Sequence, residues 1–215
     1  MGLDLEPLGK AKPGNEKTWV TLTQTLYAGK TLSDDESRKL IDISVPPYAE
    51  IGAPMVGKDR AADEWMMKQA KAHKDNRPEQ EIIAQAKGYF VVELLLGKCD
   101  GVPAYSNGGL GYVSAVTFRG EFPKDCTAFL DQPTIELAWR TVIPPAAAVS
   151  YGKALLARLD RPSSQPPAQG SLRGAIDRVL GGNSTSIQEQ RQIIDAAGRW
   201  YVFWGARGNP IWANF

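Results

Sequence analysis

"GRWYVFWGARGNPIWANF", residues 198–215, holds three of the chain's six tryptophans: Trp200, Trp204 and Trp212. How this stretch folds decides what the rest of the chain is built around. With a period of two, Trp200, Val202 and Trp204 share one side, and Arg199, Tyr201 and Phe203 share the other. Aromatic and β-branched residues favour strands, so the reading is a strand over 200–205, with Gly198 closing the helix before it. "GARGNP" supplies a turn, and the chain returns through Ile211 and Trp212. Trp200 and Trp204 are then expected on one largely buried face. The turn from Ala206 to Pro210 is expected to be exposed, with Arg207 at its tip. Large rings are mostly buried, yet tryptophan is also enriched at binding hot spots. The terminal aromatics therefore read as core or as interface, with core favoured.

Two upstream runs supply partners for that strand. "YFVVELLL" at 89–96 is apolar on both faces and reads as a central strand. "LGYVSAVTF" at 110–118 is rich in β-formers and reads as a second strand, joined to the first by a turn-rich loop. Helical signals dominate elsewhere. Asn15 caps a helix that turns Trp19, Leu22 and Leu26 inward and ends at Gly29. Ser33 and Glu36 have the spacing of a capping box, and Leu40, Ile41 and Ile43 of that helix are expected inward. Asp59 caps a helix over 60–73, Pro78 opens a short one that stops at Gly88, and Asp131 caps another. Further helices are expected over 143–159, 172–180 and 187–197, the last with a Ser186–Glu189 capping box. The expectation is a single α+β domain over 1–215, with a small antiparallel sheet of about three to five strands covered by helices. The Pro- and Ser-rich "DRPSSQPPAQGS" at 160–171 reads as a flexible surface loop within that domain.

The chain has 215 residues, 43% hydrophobic and 23% charged, with a formal net charge of +1. That is the composition of an ordinary globular protein. No block of like charge suits nucleic acid or an anionic membrane. Glu93 interrupts the longest apolar run, well short of a membrane span. The N-terminus lacks an apolar core and a small-residue cleavage site. The cytoplasm is the expected compartment, with Cys99 and Cys126 reduced; a bridge between them is the alternative in an exported form.

One histidine, His73, leaves no multi-histidine zinc site, and no cofactor or metal is expected. An enzyme reading would use Cys99, beside Asp100, with His73 as base, or Glu93 as a strand carboxylate. The plainer readings are a solvated His73 at a lysine-rich helix end and a Glu93 that is paired or edge-facing. "SNGGLGY" at 106–112 precedes a strand, so it is turn chemistry and not a phosphate cradle. The unusual segment is "SVPPYAEIGAPMVGKD" at 44–59. Its prolines and glycines forbid a continuous helix, yet Val45, Tyr48, Ile51, Met55 and Val56 are apolar. Such a loop is packed over the core or shaped for a partner.

The expected function is a non-enzymatic, cytoplasmic protein-binding module, for example a bacterial immunity or antitoxin protein that neutralises a toxin or effector by direct contact. Its expected contact residues are Tyr48, Ile51, Met55, Tyr105, Asn107, Arg207 and Trp212. The alternatives are a hydrolase or transferase using Cys99 or Glu93, and an accessory subunit of a larger bacterial assembly.

Overall fold

The computed structural model describes residues 4–95, 118–140, 142–160 and 185–214. In chain order the elements are β1 (Asp4–Pro7), α1 (Glu16–Tyr27), α2 (Asp34–Asp42), α3 (Pro47–Glu50), α4 (Arg60–Ala72), α5 (Glu79–Ala86), β2 (Phe118–Arg119), α6 (Phe122–Asp125), α7 (Gln132–Ala138), β3 (Val142–Ile143), α8 (Pro145–Leu159), α9 (Ile187–Ala206) and β4 (Ile211–Asn214). This is an α+β fold, as expected. Several of the strands differ from those read in the sequence.

Residues 200–205 are not a strand. They are the last turns of α9, a 20-residue helix that runs straight through Gly198. The Ser186–Glu189 capping box starts it, with both reciprocal hydrogen bonds made. From there Ile193, Ile194, Ala197, Trp200, Tyr201 and Trp204 fall on one helical stripe, and all are buried. Trp200 and Trp204 do lie together on a buried face, because a spacing of four is in phase in both a helix and a strand. Gly198 does not stop the helix because its missing side chain makes room for α8: a β-carbon there would lie 2.7 Å from Cγ of Leu156.

The sheet is antiparallel, in the order β2-β1-β4-β3. Leu5 is paired with Phe118 on one side and Ala213 on the other. The terminal segment 211–214 is a strand, as read. Residues 89–96 are not a central strand. Phe90 makes one isolated bridge with Met55, and Val92–Leu95 form a single 3-10 turn. Gly88, at φ +92°, has just ended α5, so the chain pairs only briefly with 55–56 before it turns. A continuous apolar run has no period to separate strand from buried turn. Of the second expected strand, Phe118 is in the sheet, while 110–117 lie outside the described residues. So do the 172–180 helix and all of the 160–171 loop beyond Asp160.

Alternation along the strands gives the sheet two apolar faces. Leu5, Phe118, Ile143, Ile211 and Ala213 join the buried residues of α8 and α9 in the main core. Val142 and Trp212 point the other way and pack with Leu22, Leu26 and Leu40 of α1 and α2. A third, smaller cluster joins Val56 and Val91 to Ala62 of α4 and Ala86 of α5. The capping box at Ser33 and the Asp131 cap on Thr134 form as read. Ile41 does not face inward; it is 58% exposed. Within the expected exposed turn, Ala206 to Gly208 are open but Asn209 and Pro210 are buried. Asn209 donates its side-chain amide to the Leu8 carbonyl and its backbone N–H to that of Trp204, tying the turn to β1.

Candidate functional site

Residues 44–59 form a ledge held at both ends by backbone hydrogen bonds. At the first end, Ser44 bridges Ala11, and Val45 N–H donates to the Lys10 carbonyl at 2.8 Å. Pro47 at the first position then starts α3, which needs no N–H there. Gly52, at φ +72°, turns the chain back. At the second end Val56 N–H donates to the Tyr89 carbonyl, and Val91 N–H to that of Pro54. Asp59 stands at the start of α4, as read, but its carboxylate reaches back to accept from Met55 N–H at 2.7 Å instead of capping the helix.

Tyr48 lies beneath this ledge. Its ring meets Phe90 at 5.4 Å and the edge of Trp204 at 6.3 Å. Burial, reinforced by the Glu6 charge, pushes its phenol well above the usual range, so it stays neutral. An open groove runs along each side of α3. One, of about 560 Å³, is lined by Lys10, Ala11, Val45, Glu50, Ile51 and Arg207. The other, of about 690 Å³, includes Ala49, Met55, Lys58, Arg60 and Phe90. Lys10 and Glu50 pair at 2.9 Å across the first groove. The Arg207 guanidinium lies 3.4 Å over the Phe203 ring and donates to the Phe203 carbonyl at 3.0 Å. Among the described residues no carboxylate pairs with it. Arg207 is therefore a fixed, exposed cation beside the apolar Val45 and Ile51.

Four of the sequence-derived contact residues thus meet at the ledge: Tyr48, Ile51, Met55 and Arg207. Trp212 does not join them. It is half-buried on β4 and packs against the α1–α2 core. Tyr105 and Asn107, together with Cys99 and Asp100, lie outside the described residues. His73 is the C-cap of α4 and borders a different cleft. Glu93 sits in the 3-10 turn and not on a strand, with Oε2 buried and without a hydrogen-bond partner. Cys126 is a free, buried thiol, pushed up to about 12 by burial and by Asp125, and so carries no thiolate at neutral pH. Lys10 and Glu50 escaped the sequence reading because forty residues separate them and neither belongs to a motif.

Among the described residues no helix is long and apolar enough to cross a membrane. No protein-family model, characterised protein or solved structure matches the chain.

Proposed function

We propose that the protein is a binding module that engages another protein through the 44–59 ledge and Arg207. The observation that carries this reading is a Pro- and Gly-rich apolar segment pinned by backbone hydrogen bonds at both ends and flanked by open grooves. A surface held in place before binding loses little conformational entropy when a partner docks. The partner presents an apolar side chain to Val45 and Ile51 and a carboxylate to Arg207, whose planar fork suits that group. Neutralisation of a toxin or effector by direct contact in the cytoplasm, in the manner of a bacterial immunity protein, requires nothing more of this chain than such a surface.

The test is to capture partners from the native cell, purify the captured protein, and titrate it calorimetrically against wild type, Ile51→Asp and Arg207→Glu. Both variants are expected to weaken binding at least tenfold (about 1.4 kcal/mol); Arg207→Glu should do so with little change in melting temperature, whereas Ile51→Asp, at a side chain packed against the main core, should also lower it. A purified partner that binds both variants as tightly as wild type would place the interface elsewhere.

A further inference from the structure

Helices α4 and α5 converge on a cleft of about 330 Å³ that shares no lining residue with the two grooves of the ledge. Its floor is apolar: Met66, Ala70, Ile82 and Ala86, of which the last three are buried. Tyr89, 51% exposed as a residue, forms one wall. The mouth is polar and built around Arg77. Its Nε donates to both oxygens of Asp75, at 3.0 and 3.1 Å, and its Nη2 donates to Asp75 Oδ2 at 2.6 Å. Nη1 donates to Gln85 Oε1 of α5 at 2.6 Å. Lys74, the one non-glycine residue with positive φ among those described, bends the chain so that Asp75 N–H caps the Ala70 carbonyl. The guanidinium is thereby locked in place, with three of its five N–H groups engaged and two on the terminal nitrogens uncommitted.

We infer that this cleft binds a small organic acid, with its aromatic or aliphatic body on the Met66–Ile82 floor against Tyr89 and its single carboxylate on Arg77. The volume lies at the low end of ligand pockets, which run from about 300 to 1,000 Å³, so the body is about the size of one or two fused rings. The charged and titratable groups lining the cleft are Arg77, Asp75, His73 and Tyr89, and the Glu81 charge on α5 also acts on Arg77. Asp75 cancels one unit of positive charge, which disfavours a dianion and leaves Arg77 to select a monoacid by directed hydrogen bonds.

The test uses the full chain and three probes: benzoate, 2-naphthoate and octanoate, with 2-naphthamide as the uncharged control. Binding is followed by amide chemical shifts in NMR titrations. At least one acid should saturate, with shifts confined to α4, α5 and Tyr89, and 2-naphthamide should bind at least tenfold more weakly than 2-naphthoate. Ala86→Leu, which fills the floor, should abolish binding. Arg77→Gln, a change at the exposed mouth, should erase the preference for acid over amide, and it carries the test if Ala86→Leu does not fold. Failure of all three acids to saturate, equal affinity for acid and amide, or an unaltered preference in Arg77→Gln each overturns the assignment.

Discussion

Gly152 of α8 faces Gly198 of α9, and neither position has room for a β-carbon. One on Gly152 would lie 2.6 Å from the Gly198 carbonyl oxygen; one on Gly198 would lie 2.7 Å from Leu156 Cγ. Gly205 repeats the contact further along, against the Pro145 carbonyl. The helices are close because these residues are bare, and closeness seats Trp200, Tyr201 and Trp204 in the core. Gly152→Ala is expected to destabilise the fold by about 1–3 kcal/mol, despite a gain of up to about 1 kcal/mol in helix propensity. Gly198→Ala should cost less, since its nearest obstacle is a side chain that can rotate. Urea unfolding measures both, and a Gly152→Ala protein as stable as wild type would contradict this packing.

Tyr151 and Tyr201 stack edge to face at 4.8 Å but differ in their hydroxyls. Tyr151 donates to the Thr134 carbonyl at 3.0 Å, whereas the Tyr201 hydroxyl is buried without a partner. Tyr151→Phe should therefore lose about 1 kcal/mol. Tyr201→Phe should be neutral or stabilising, since it removes an unsatisfied group at nearly constant shape. Denaturation midpoints of the two variants give the comparison directly.

Both phenols are raised above their ordinary value of 10.0 by burial, and Cys126 is raised from 9.0 to about 12. A raised folded-state pKa gives stability that is complete below the unfolded value and is lost above it. Stability should hold to about pH 9 and then fall, by up to about 1.4 kcal/mol per pH unit for each group the unfolded chain has ionised. Chemical denaturation at pH 8, 9, 10 and 11 tests the slope, and Cys126→Ala should remove its earliest part.

Asp131 behaves in the opposite sense. It accepts from Thr134 N–H and from the Thr134 hydroxyl, and Arg158 of α8 donates to its Oδ2 at 2.7 Å. These bonds hold its carboxyl at about 2, and the Arg77 fork holds Asp75 there as well. Depressed folded-state values give stability that is present above the unfolded pKa near 3.8 and is lost as pH falls toward 2. Asp131→Ala should lose about 1 kcal/mol at neutral pH as the α7 cap is removed, and should show a shallower acid transition than wild type.

The tryptophans should separate by burial. Trp200 is fully buried against Phe118 at 5.7 Å, so Trp200→Ala should lose about 3–5 kcal/mol. Trp212 is half-buried at the α1–α2 side of the sheet, so Trp212→Ala should lose clearly less. Equal losses would mean that the sheet's second face is as closed as its first.

Much of the local structure was legible. The capping boxes at Ser33 and Ser186 and the cap at Asp131 depend on side chains reaching backbone groups three residues away, so spacing alone specifies them. The contents of the ledge were legible for a similar reason: apolar residues among prolines and glycines must pack or be presented. Its shape was not, because Lys10, Glu50 and Arg207 meet only after β1, α3 and the end of α9 are in place. The α4–α5 cleft leaves no trace in the sequence because Arg77 and Asp75 belong to no motif, and only Gln85 and the Lys74 bend fix them in place.

For residues 198–215 the sequence by itself determined that Trp200 and Trp204 share a buried face, because four-residue spacing is in phase in either regular structure. It also determined that a turn near Gly208 precedes a short strand. Only the tertiary structure decided that 200–205 is helix. Intrinsic preferences for strand or helix differ by about 1 kcal/mol or less per residue, and close packing of α9 on α8 through Gly152, Gly198 and Gly205 outweighs them. The strand that completes the sheet came instead from Asp4–Pro7, whose partners lie more than a hundred residues away and leave no local trace.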